Sequence, residues 1–153
     1  MVDVAERTEP AAAEASAGSV ATGCLIAHLA VHDAAAAIDF YKRAFGAVEE
    51  MRAPAPDGKR IWHASLVVGN SKLFLSDDFS DQDGMSCASP KALGGTSTMI
   101  YFYVPDADVT FNRAVVAGAE VVMPLADMFW GDRYGKLRDP FGHEWGIAAP
   151  LPN

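Results

Sequence analysis

One motif occurs twice in this chain, and that duplication narrows the possible folds more than any other feature. The segment CLIAHLAVHDAAAAIDFYKRAFGAVEEM starts at Cys24, and TSTMIYFYVPDADVTFNRAVVAGAEVVM starts at Thr96. Each reads as an apolar strand, a Val-x-Asp step, an amphipathic helix, Gly-Ala and a second strand. Val31 corresponds to Val104, and Asp33 to Asp106. Both Asp residues stand where a helix N-cap belongs, because a short carboxylate can accept from the free N–H groups of the first turn. Gly46 and Gly118 stand just past the helix ends, where a left-handed residue closes the last turn. Ile38, Tyr41 and Phe45 recur at three and four residues and predict one buried face. Val109, Ala114 and Val116 carry a weaker version in the second helix.

Three strand candidates follow each helix. They are residues 47–53, 60–69 and 72–77 in the first unit, and 119–124, 133–138 and 143–149 in the second. The turns PAPDGK and VGNS separate the first set. Asp139-Pro140-Phe141-Gly142 separates the last two strands and suits a type I turn, with Pro at its second position. The order is therefore β-α-β-β-β, twice, which predicts an α+β fold of two modules, 24–77 and 96–149. Both belong to a single domain over 23–153. The Gly- and Ser-rich linker 78–95 joins them.

The chain's 153 residues suffice for one domain with a real core. Its net charge of -8, from 12 basic and 20 acidic residues, argues against nucleic acid or an anionic membrane as partner, since both need a basic surface. No apolar run approaches the roughly 20 residues of a membrane helix. Residues 1–22 are Ala-rich, without apolar periodicity or the marks of a targeting peptide, and read as a disordered tail. The alternative is a short helix docked on a neighbouring subunit. Cys24 and Cys87 lack metal-type spacing and cannot form a disulfide framework, so free thiols in a reducing cytoplasm are expected.

The doubled βαβββ unit resembles the vicinal oxygen chelate superfamily, which includes glyoxalase I, bleomycin-resistance proteins and extradiol dioxygenases. The phrases AAAAIDFYKRAFGA, SPKALGG and FWGDRYGKLRDPFGHEWGIA resemble its PhnB-like branch, and the likeness runs from about Leu25 to Ala149. The resemblance implies open half-barrels with a helix on each convex face, a concave small-molecule pocket and a homodimer. Fold alone does not fix the reaction.

In metal-dependent relatives the first and last strands of each unit supply His, Gln or Glu ligands. Carried over by motif, those positions hold Ile26, Phe74, Met99 and Gly146. None is a hard-metal ligand, so no metal cofactor is expected. Alternation of side chains along strands predicts a pocket with His28, His63, Ser65, Phe74, Met99, Tyr101, Tyr103 and Glu144. His28, His63 and Glu144 are the candidates for a displaced metal site. The two histidines alternatively contact an organic ligand or hydrogen-bond within a polar pocket wall.

The stretch FWGDRYGKLRDPFGHEW, residues 129–145, adds the segment from Trp130 to Arg133 at the pocket rim, and its adjacent Asp132 and Arg133 point to opposite faces. Trp130 is read as an aromatic lid, or as a core or interface residue. Arg133 is read as a binder of carboxylate or phosphate, or as the partner of a structural carboxylate. His143, just after the turn, is expected to be exposed. Three functions follow: a metal-free protein that binds a small, flat organic molecule; a metal-dependent glyoxalase, dioxygenase or lyase using displaced ligands; and a metal-free acid–base enzyme using His or Tyr. The first is preferred, because the family ligands are missing.

Overall fold

The computed structural model describes residues 20–82, 84 and 86–153. Most of the tail expected over 1–22 therefore lies outside the described residues. The first module contains β1 (Ala27–Val31), α1 (Ala34–Phe45), β2 (Val48–Pro54), β3 (Ile61–Val68) and β4 (Ser71–Asp77). A short helix, α2 (Pro90–Leu93), interrupts the linker. The second module contains β5 (Met99–Tyr103), α3 (Ala107–Ala117), β6 (Glu120–Asp127), β7 (Asp132–Arg138) and β8 (Glu144–Pro150). The fold is α+β.

Helix boundaries follow the capping chemistry. Asp33 accepts from the Ala36 N–H at 3.0 Å, and Asp106 from the Val109 N–H at 3.0 Å. Gly46 closes α1 at a φ of 67°, a left-handed value that costs glycine little. Each module forms one sheet of the same topology, β1-β4-β3-β2 and β5-β8-β7-β6. The first strand of each module runs parallel to the last, and the other pairings are antiparallel.

Each sheet turns one face to a helix and leaves the other open. Leu29, Val31, Leu66 and Leu75 are buried on the helix side in a core with Ile38. Helix α1 is buried well beyond a single stripe: Ala34, Ala37, Ile38, Phe40, Tyr41, Ala44 and Phe45 are all covered. The reason is its place between its own sheet and the second module. The Phe45 ring lies 4.5 Å from Trp145 and 5.8 Å from Phe102, and Phe40 meets Phe141 at 6.2 Å. One core thus runs through both modules.

Helix α3 corrects the expected face. Val109 and Val116 are exposed, and the buried residues are Ala107, Phe111 and Ala114, spaced one and two turns apart. Polar contacts lock the junction. Arg113 of α3 donates to the Arg43 carbonyl at the end of α1, at 2.6 Å. Asp139, buried in the DPFG turn, accepts from the Tyr41 hydroxyl at 2.6 Å, from the Trp145 indole at 2.9 Å, and from the Phe141 and His143 backbone N–H groups. His143 is half-buried rather than exposed, with Nε2 3.0 Å from the Ala30 carbonyl of the other module.

Candidate functional site

The open face of the first module is assembled by register. His28 lies beside Phe74 across β1 and β4, Phe74 beside Ser65 across β4 and β3, and Ser65 beside Met51 across β3 and β2. His63 is two residues before Ser65 and shares its face. The His28 and His63 rings are 5.5 Å apart edge to face, and Phe74 lies 4.7 Å from His63. Burial first, and then the neighbouring His63, lower the His28 pKa, so its imidazole is neutral at pH 7. Beside them Glu50 accepts from Ser65 at 3.0 Å and pairs with Lys72. A hollow of about 270 Å³ is lined by Glu50, Met51, His63, Ser65 and Phe74, with Val20.

The second module repeats this layout with the sizes exchanged. Tyr101 pairs in register with Gly146, as His28 does with Phe74. Tyr134, across β7, closes over Gly146 from the other side. The Tyr101 and Tyr134 rings are nearly parallel, with centroids 5.5 Å apart, and Tyr103 continues the stack 6.4 Å from Tyr101. Trp130 packs edge to face on Tyr134 at 5.7 Å. Asp132 sits among these rings, accepting from the Tyr103 hydroxyl at 2.5 Å and the Trp130 indole at 3.1 Å. The bond to Asp132 raises the Tyr103 pKa, and burial raises that of Tyr101, so both phenols stay protonated. Glu144 shares the open face, beside Met99 in register. It is taken up by Arg138 at 3.1 Å and Lys136 at 3.2 Å, and the Arg138 bond first holds its carboxyl below the usual range.

The structure brings together His28, His63, Ser65 and Phe74 on one sheet, and Met99, Tyr101, Tyr103, Trp130 and Glu144 on the other. It does not bring Arg133 to either face. The Arg133 side chain points to the helix side, where it forks onto Asp108 of α3 at 2.5 and 2.8 Å and reaches Asp127 at 3.0 Å. Adjacent strand residues point opposite ways, so Asp132, not Arg133, reaches the open face. Tyr134, Glu50 and Lys72 are the residues that sequence reasoning missed, and Asp132 fell within the rim segment 130–133 without a role. The alternation of Asp132, Tyr134 and Lys136 along β7 was the signal that could have found Tyr134.

Ile26, Phe74, Met99 and Gly146 offer no oxygen or nitrogen donor. A Cβ on Gly146 would lie 3.0 Å from Tyr134 Cε2, 3.1 Å from its hydroxyl and 3.2 Å from Tyr101 Cδ2, so two rings occupy the space a ligating side chain needs. The residues present do not fit the family's divalent cation. His28 and His63 are on one sheet and Glu144 on the other, and among the described residues no three His, Cys, Asp or Glu side chains gather in a metal-binding group.

Comparison with known proteins agrees with this architecture. The profile of the Glyoxalase/Bleomycin resistance protein/Dioxygenase superfamily matches residues 24–147. An uncharacterized protein of Mycobacterium tuberculosis H37Rv is 50% identical over 124 residues, covering 81% of this chain and 72% of that one. The crystal structure of TioX from Micromonospora sp. ML1 superposes with a TM-score of 0.67 at 34% identity, covering 83% of this chain and 98% of that one. A PhnB protein from Bacillus cereus shares the fold, with a TM-score of 0.62 at 16% identity over 82% of this chain and 98% of that one. The chain belongs to the glyoxalase/bleomycin resistance protein/dioxygenase superfamily.

Proposed function

We infer that the protein binds a small, planar organic molecule on its open faces, without the family's metal, and does so as a homodimer. The observation that carries this reading is the stack of Tyr101, Tyr103 and Tyr134 with Trp130 at its edge. Tyr101, Tyr103 and Trp130 are 46%, 53% and 48% exposed. Aromatic rings held in parallel on a rigid strand face offer a planar guest large contact at little entropic cost. Such an exposed apolar face also calls for a cover. The matching face of the first module, with His28, His63 and Phe74, supplies one when a second copy is turned toward it.

The pocket of the dimer would then be walled by a His/Phe face and a tyrosine face. The exposed thiols of Cys24 and Cys87 suit a reducing compartment and support a cytoplasmic location. The acidic net charge disfavours nucleic acid and anionic membranes, and no helix among the described residues is long and apolar enough to cross a bilayer. A metal-dependent lyase would need donors that the four ligand positions lack.

The test combines light scattering with fluorescence titration of planar aromatic compounds. A dimer is expected, along with saturable quenching of indole emission that Tyr101→Ala weakens at least about tenfold, the loss expected when one stacked ring is removed. A monomer, or quenching that Tyr101→Ala leaves unchanged, contradicts the reading.

A further inference from the structure

We propose that the tyrosine face selects an organic cation: a planar aromatic ring system bearing a fixed positive charge, held by Tyr101, Tyr103, Tyr134 and Trp130 around the Asp132 carboxylate. This rests on the planar-ligand reading above and adds the sign of the ligand's charge to it.

Charge placement on this face is lopsided. Its two cations, Lys136 and Arg138, are both committed to Glu144. Arg133, the remaining strand cation, is turned away and held by Asp108 and Asp127. Among the described residues Asp132 has no basic side chain within ion-pair distance. An anionic ligand would therefore find no free cation here, and would face both the Asp132 charge and the negative faces of the rings.

An organic cation meets the opposite situation. Ring faces attract a cation through their quadrupoles, within about 6 Å of the centroid. Tyr101, Tyr103 and Trp130 are each about half exposed, and Tyr103 and Trp130 both bond the Asp132 carboxylate, so accessible ring surface lies beside that charge. Asp132 adds a formal charge. A carboxylate has about four acceptor sites, and Tyr103 and Trp130 occupy two of them here. Those two bonds fix the carboxylate's orientation while leaving acceptor capacity for a guest. The net charge of -8 adds long-range attraction for a cation, which salt screens.

The experiment compares N-methylacridinium with acridine at pH 8, where acridine is neutral and of nearly the same shape. Each is titrated into the full chain, wild type and Asp132→Asn, by indole quenching and calorimetry, with a thermal melt to confirm folding. The cation is expected to bind about tenfold more tightly than acridine, the scale of a partly desolvated cation–π contact. Asp132→Asn should abolish that preference, read as the ratio of the two affinities within each variant. Raising the salt concentration should weaken the cation alone. Equal binding of the two probes, or a preference that survives Asp132→Asn, overturns the cation inference and leaves the planar-ligand reading standing. If neither probe binds, or if Tyr101→Ala leaves both titrations unmoved, both fail. Tyr103→Phe, which removes one bond to Asp132 and keeps the ring, should reduce the preference and not eliminate it.

Discussion

Asp139 ties the second module to the first through the Tyr41 hydroxyl. The DPFG sequence announces a turn, and Asp139 does serve that turn through the Phe141 N–H. Its second oxygen takes the Tyr41 hydroxyl and the Trp145 indole, contacts that no local pattern encodes. Asp139→Ala strands those buried donors and should lower unfolding stability by about 3 kcal/mol in urea denaturation. A loss below about 1 kcal/mol would mean water replaces the carboxylate. Gly146 is the opposite case, a residue whose function is to have no side chain. Gly146→His should cost at least about 1 kcal/mol by overpacking the tyrosine pair and should not create metal binding by calorimetry. Alternation along β1, β3 and β5 made His28, His63, Ser65, Tyr101 and Tyr103 legible as one-sided residues. Of the two readings of Arg133 the structure bears out the partner of structural carboxylates, Asp108 and Asp127, and its neighbour Asp132 is the residue facing outward.

At the scale of elements, α1 and α3 were legible from their Asp caps and terminal glycines, and the buried face of α3 was not. Its periodic valines point to water, while Phe111 anchors the helix against β7. Phe111→Ala should cost about 3–4 kcal/mol, whereas Val116→Lys should change stability by less than about 0.5 kcal/mol. Gly135 on β7 completes that contact, since a Cβ there would lie 2.7 Å from Phe111 and 3.0 Å from the Met123 carbonyl. Gly135→Ala should therefore destabilise by about 1–3 kcal/mol. Glu49 ties α1 to β2, and its bonds to Arg52 first and then Lys42 lower its pKa from the ordinary 4.5 to about 2. A depressed carboxylate contributes stability that is full above pH 4.5 and lost as pH falls through about 2. Glu49→Gln should flatten the stability profile across that window in denaturant titrations at stepped pH, and an unchanged slope would remove Glu49 from the acid response. The linker escaped detail for a related reason. The four-residue α2 is too short to show periodicity, and it is held by its Ser89 cap.

For the whole molecule, the duplication determined what could be read. Two copies of one strand–helix–strand pattern led to two sheets of identical topology, because each module's order is local information. How the modules meet was not readable. It depends on Phe45 against Trp145, Tyr41 on Asp139 and Arg113 on the end of α1, partners far apart in sequence. The corresponding positions on the two open faces have also diverged, from His-Phe-His to Tyr-Gly-Tyr. The proposed metal-free pocket rests on that flat aromatic surface and on the missing donors at Ile26, Phe74, Met99 and Gly146. Elemental analysis of untagged protein tests that claim most directly, before and after chelator dialysis and after adding back Ni, Zn, Mn and Fe. The expected result is metal well below one equivalent per chain, with no change in melting temperature on add-back. One equivalent per chain, lost to chelator with a fall in melting temperature and restored by a single metal, would contradict it.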